Sequence, residues 1–146
     1  MSIRLGLDAK TYRNTGTYDV PIWTEVPNVK DVTMNLESGE ADVSTRANAG
    51  WRATVATMKE GTIEFEMLWD TEDAGFTAIK NAYFNNTPIE MAVMDGPIAV
   101  PGAQGLRASF SVMSFSRKEA LEEALTVSVT LKITHSAHAP EWKVAA

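Results

Sequence analysis

Leu125-Thr126-Val127-Ser128-Val129-Thr130-Leu131-Lys132-Ile133-Thr134 is the stretch that decides the fold class. Apolar and polar residues alternate along its whole length. Successive side chains of a strand point to opposite faces, so this segment has one greasy face and one polar face. A helix, with its repeat of 3.6 residues, does not divide a sequence in this way. The rhythm recurs upstream. Leu106, Ala108, Phe110 and Val112 alternate with Arg107, Ser109 and Ser111. Ile63, Phe65, Met67 and Trp69 alternate with Thr62, Glu64, Glu66 and Leu68. Val32, Met34 and Leu36 alternate with Asp31, Thr33, Asn35 and Glu37, and Leu5, Leu7 and Ala9 with Arg4, Gly6, Asp8 and Lys10. Two shorter runs, residues 22–26 and 89–94, add strands. Antiparallel sheets with one face in water produce this pattern.

One segment departs from it. Phe76, Ile79, Tyr83 and Phe84 fall at i, i+3, i+7 and i+8, which is one face of a helix. Asp70 or Thr71 suits its start, Glu72 and Asp73 suit the positive end of its dipole, and Asn85-Asn86-Thr87-Pro88 stops it. The spacing predicts a helix over about 71–85. Two connections are longer than ordinary hairpin turns: residues 38–51, and the Gly- and Pro-rich residues 95–105. Alternation resumes in the same style after each. The reading is therefore a single domain over 1–146, with a long loop at 38–51 and a C-terminal tail at 135–146.

Composition narrows the function. The chain has 146 residues, 45% apolar and 22% charged, which is enough for a real core and unlike a disordered segment. No apolar run approaches the roughly 20 residues of a membrane span, so no membrane partner is expected. The N-terminal Met1-Ser2-Ile3-Arg4-Leu5-Gly6 alternates and lacks the apolar core of a signal peptide. There is no Cys, hence no disulfide framework and no thiolate metal site. The formal net charge is −6, and the acidic excess lies in the first half. Without a cluster of Lys and Arg, such a chain is poorly built to grip nucleic acid.

A search for catalytic constellations returns little. Gly102-Ala103-Gln104-Gly105 lacks the Lys-Ser/Thr of a phosphate loop, and neither G-x-S-x-G nor H-E-x-x-H occurs. The two histidines, His135 and His138, lie past the last strand in the tail, with no third metal ligand beside them. Glu64 and Glu66 share one strand face about 7 Å apart, as glycosidase carboxylates can, but solvated charge on a polar face explains them more simply. Asp70-Thr71-Glu72-Asp73 matches a calcium loop poorly and a helix cap well. No cofactor, metal or catalytic residue is expected. Trp51 stands out: Arg46-Ala47-Asn48-Ala49-Gly50-Trp51-Arg52 places an aromatic beside arginines on a loop, the composition of an interface anchor. A tryptophan folded back onto its own barrel fits the same residues. Trp142 in the charged tail poses the same choice.

The run Asp42-Val43-Ser44-Thr45-Arg46-Ala47-Asn48-Ala49-Gly50-Trp51-Arg52, followed by Thr57-Met58-Lys59-Glu60-Gly61-Thr62-Ile63-Glu64-Phe65-Glu66, resembles phage tail tube proteins. Asp73-Ala74-Gly75-Phe76-Thr77-Ala78-Ile79, with its helix ending at Asn85, is similar too. The resemblance runs from the first strand to the last, though none of its residues is tied to a reaction. It implies a mainly β fold: an antiparallel β-sandwich or small barrel with one flanking α-helix. It also implies six-membered rings stacked into a hollow tube, assembled in a bacterial host's cytoplasm as part of a virion tail. DNA would pass through without specific binding, and other tail proteins, such as the tape measure and tail terminator, would be partners. On that reading Arg46, Asn48, Gly50, Trp51, Arg52 and Trp142 are subunit-interface residues. Asp31, Glu37, Glu64 and Glu66 are the acidic residues expected to face the lumen. The alternatives are a monomeric β-barrel carrier of a small ligand, or the tube of a phage-derived secretion or gene-transfer particle.

Overall fold

The computed structural model describes residues 3–145. Met1, Ser2 and Ala146, which the sequence reading places in the alternating N-terminus and at the domain's ends, lie outside the described residues. Eight strands and one α-helix follow in order: β1 (Lys10–Asn14), β2 (Trp23–Glu25), β3 (Val29–Asp42), β4 (Thr54–Leu68), α1 (Ala74–Asn85), β5 (Ile89–Met94), β6 (Gln104–Lys118), β7 (Thr126–Ile133) and β8 (Glu141–Val144). The strands form one antiparallel sheet in the order β2-β1-β5-β6-β7-β4-β3, with β8 beside β6.

That sheet cannot lie flat. Its outermost strands are β2 and β3, which would stand about 29 Å apart at the usual strand spacing. Yet β2 ends at Glu25 and β3 begins at Val29, a link that spans at most about 14 Å. The sheet must curl until its two edges nearly meet. The interior so formed holds Ile63, Phe65 and Met67 of β4, Val127, Val129 and Leu131 of β7, Phe110 and Val112 of β6, and Met91 of β5. Phe76, Ile79 and Ala82 of α1 pack into it, and Val26 joins from the link between the edges. The alternating apolar residues of β4, β6 and β7 are thus the core, whereas Val32 and Leu36 of β3 are exposed.

Several local expectations change. The helix begins four residues after Asp70, and its cap is Asp73, whose carboxylate accepts the Phe76 N–H at 3.0 Å. Its buried face turns to Ala82, while Phe84 is exposed. Asn86, at φ 53°, ends it in the left-handed conformation that Asn tolerates. Leu5 to Ala9 is not a strand. Gly6–Asp8 forms a 3₁₀ turn with Leu5 and Leu7 exposed, since no neighbouring strand covers their apolar side. The loop expected at 38–51 is shorter at its start: β3 continues to Asp42, pairing with Thr54, and the connection is residues 43–53. The tail expected at 135–146 is not simply a tail. Glu141–Val144 adds to β6 opposite Gln104–Arg107, an edge that β7 leaves uncovered.

A buried cation holds this last arrangement. Arg107 is on β6 and almost fully enclosed. It bonds Glu90 of β5 at 3.1 Å, Glu141 of β8 at 3.3 Å and the Tyr18 carbonyl at 2.8 Å. Its guanidinium lies 4.0 Å above the Tyr18 ring, which also stacks on His138 at 3.5 Å. A charge so far from water is tolerable only when paired and hydrogen-bonded on several sides. The pairing ties the N-terminal segment and the C-terminal strand to the sheet.

Candidate assembly surfaces

The sheet's outer face on β3, β4, β7 and β6 is polar along its middle rows and ends at the exposed Leu68. Thr33 stands opposite Glu64, Asn35 opposite Thr62, and Glu37 opposite Glu60. Glu64 in turn faces Thr130, Glu66 faces Ser128, and Thr62 faces Lys132. Ser114 and Ser116 of β6 continue the rows. This face follows from the alternation, since every second residue is committed to the core. Glu37 and Glu64 line one shallow groove together with Glu60, which the sequence reading had not singled out. Glu66 lies on the same face, 4.0 Å from Lys30. Asp31 does not join them. It sits in a β-bulge between Lys30 and Thr33 with φ 53°, and the extra residue shifts the phase so that Lys30 takes the place beside Glu66.

Beyond this face β3 and β4 run on alone. β7 covers β4 only from Thr62 to Leu68, so residues 38–42 and 54–60 form a two-stranded arm exposed on both faces. Met58 and Val55 are exposed apolar side chains on it, and Leu36 is exposed at its foot. An isolated two-stranded ribbon is marginal in water, and an apolar one invites a partner. The outer edge of β3, 14 residues long, has no strand beside it among the described residues.

The tip of the arm gathers Arg46, Asn48, Gly50, Trp51 and Arg52. Arg46–Asn48 makes a 3₁₀ turn, and the Asn48 carbonyl accepts the Trp51 N–H at 3.0 Å. Ala49 and Gly50 are both left-handed, at φ 54° and 86°, which reverses the chain. Ser44 closes the neck: its hydroxyl accepts the Ala53 N–H at 2.7 Å. Hydrogen bonding from the Ser44 side chain and from its backbone N–H, at 2.9 Å, holds the Asp42 carboxyl below the usual carboxylate range. Asp42 therefore tightens the neck at neutral pH and ceases to do so once acid protonates it. The Trp51 side chain is 78% exposed, so it is not folded back onto its own barrel. Trp142 belongs elsewhere. It is half-exposed on β8, and its indole N–H donates to the Gln104 side chain at 2.9 Å.

A family model described as phage tail tube protein matches residues 12–136. The chain belongs to the phage tail tube protein family. Solved tail tubes have its fold. The tail of an empty gene transfer agent particle, computed with C6 symmetry, superposes with a TM-score of 0.73 at 12% identity, covering 99% of this chain and 100% of that one. The SPP1 tail tube gives 0.72 at 18% identity, over 97% and 80%. The baseplate of the anti-feeding prophage gives 0.62 at 6% identity, over 99% of each chain. No curated protein matches the chain in sequence.

Proposed function

We propose that this chain is the structural subunit of a virion tail tube, self-assembling into six-membered rings that stack around a channel for DNA. The observation that carries this is the uncovered arm with its exposed Trp51 tip, joined to a sheet whose outer face carries rows of Glu, Ser and Thr. Strand edges left open in one subunit are natural sites for pairing with the next, and a closed ring leaves none. Arg46, Asn48, Gly50, Trp51 and Arg52 then form one contact between subunits, and Trp142 on β8 another.

The polar face of Glu37, Glu60, Glu64 and Glu66 among Ser and Thr is assigned to the lumen. It has no cluster of cations to neutralise phosphates and release their counterions, so duplex DNA slides without being held. Asp31, displaced by its bulge, is assigned no lumen role. No catalytic activity, cofactor or membrane contact is assigned. The partners are further copies of the chain and the tail proteins at the tube's ends and within it, met during assembly in the host cytoplasm.

The likeness to a gene transfer agent tail equally supports a tube serving such a particle. The carrier reading is disfavoured because Phe76, Ile79 and Phe110 fill the interior that a ligand would occupy. Sedimentation separates the two. A tube subunit gains mass as concentration rises, whereas a carrier stays monomeric and takes up apolar ligands.

A further inference from the structure

The tip of the arm is open and basic. From Val43 to Ala53 its charged residues are Arg46 and Arg52 alone, and neither makes an ion pair among the described residues. With Trp51 and Thr45 they line an open hollow of about 680 Å³. Asp42, at the neck, is the one acid on that hollow, and its carboxylate is taken up by the Ser44 N–H at 2.9 Å. The hollow thus keeps one cation in excess, around a tryptophan that its own domain leaves bare. Tryptophan and arginine are the side chains that most often anchor a protein interface.

Its complement is at the other end of the same sheet. The connection between β6 and β7 reads Glu119-Ala120-Leu121-Glu122-Glu123-Ala124-Leu125, with three carboxylates and no cation. The Glu123 N–H donates to the Ala120 carbonyl at 3.2 Å, so Leu121 and Glu122 form the corner of an ordered turn, and Leu121 is fully exposed there. Arg117 takes up Glu119 at 3.1 Å, whereas Glu122 and Glu123 make no ion pair among the described residues. Even with Arg117 and Lys118 of β6 counted, this end keeps one carboxylate in excess. A leucine among carboxylates matches a tryptophan among arginines. The two cannot meet within one chain. The turn adjoins the far end of β4, where the Trp69 N–H donates to the Leu125 carbonyl at 2.9 Å, and the tip begins beyond Thr54. About 46 Å of strand lies between them.

We propose that the arm tip of one subunit receives the β6–β7 turn of a second copy, with Leu121 against Trp51 and with Glu122 and Glu123 against Arg46 and Arg52. The two surfaces differ and lie at opposite ends of the sheet. The contact is therefore head-to-tail and propagates from copy to copy unless it closes into a ring. It rests on the tube reading and names what the tip touches. The rival seat for the tip is the apolar cleft at the foot of the arm, where Glu37 and Glu60 stand with Lys59 beside Ile133 and Pro140. The turn is the better match, because residues 119–125 hold no cation to meet the arginines.

The chain has no cysteine, so an engineered pair reports cleanly. Thr45→Cys with Ala120→Cys, at assembling concentration under mild oxidation, should give a ladder of disulfide-linked multimers on a non-reducing gel, and Thr45→Cys with Pro140→Cys should not. Leu121→Ser should leave the melting temperature unchanged and raise the assembly threshold about tenfold or more. Arg46→Glu with Arg52→Glu should weaken assembly, as should Glu122→Lys with Glu123→Lys, and all four changes in one chain should restore it. A ladder from the Pro140 pair alone would move the tip to the cleft and overturn the proposal. Tubes that form with no ladder from the Ala120 pair, and with Leu121→Ser unaffected, would overturn it too and leave the tube reading intact. A wild-type chain that never assembles would overturn both.

Discussion

Trp51 carries much of the argument at the scale of single residues. Its flanking arginines mark it in the sequence as interface-like, but the same letters suit a loop tryptophan packed on its own domain. Only the length of β3 and β4 decides between the two, because it carries the tip away from the core. Truncation should separate the roles. Trp51→Ala should melt as the parent does, while its assembly weakens by about 2 kcal/mol per contact. Trp69→Ala is the counterpart. Trp69 meets the Phe76 ring edge-to-face at 4.9 Å and packs against the core, so its loss should destabilise the monomer by about 3 kcal/mol in a urea titration. If Trp51→Ala unfolds the monomer instead, the tip is part of the fold and the interface assignment falls. Arg107 was not legible at this scale. It occupies an ordinary polar position in an alternating strand, and nothing local shows that Tyr18, Glu90 and Glu141 converge on it from distant parts of the chain.

Elements were legible where burial on one face dictates them. β4 through Ile63 to Met67, β6 and β7 follow directly from alternation, since each has an apolar side facing the core, and β5 follows from a short apolar run that is buried on both faces. The same rule misleads where no neighbour covers the apolar side, as at Leu5 and Leu7. It is silent in the arm, where both faces are exposed and the alternation fades. β1 and β8 are short and owe their existence to partners, β5 and β6 respectively, which local sequence does not reveal. The bulge at Asp31 changes the phase by one residue, and a pattern read in constant phase puts Asp31 on the face of Glu37, opposite Glu66. The crossing of β5 and β6 has its own requirement. A Cβ at Gly105 would fall 1.9 Å from the Val93 carbonyl oxygen, so the strands approach more closely there than any side chain permits. Gly105→Ala should force the two strands apart and cost about 3 kcal/mol, seen as a lower melting temperature with assembly failing in parallel. An unchanged melting point would mean that the sheet yields there at no cost.

The whole molecule is a curled sheet closed by three residues between β2 and β3, with one helix packed by one face against its core and one arm projecting from it. Its charge is uneven, and the rows of Glu on β3 and β4 concentrate it on one face. DNA should therefore show no retardation by the assembled protein at about 150 mM salt, since the lysines of that face among the described residues, Lys30 and Lys132, stand among Glu60, Glu64 and Glu66. Tight, salt-sensitive binding would place a basic surface in the channel and reverse the assignment of faces. Curvature, open edges and arm are the features that the proposed assembly would complete. Electron microscopy of the purified chain at high concentration tests this most directly. The account predicts rings of six subunits, or stacks of them, around an open channel. A strictly monomeric mass at millimolar protein, with no rings or tubes in the images, would contradict it.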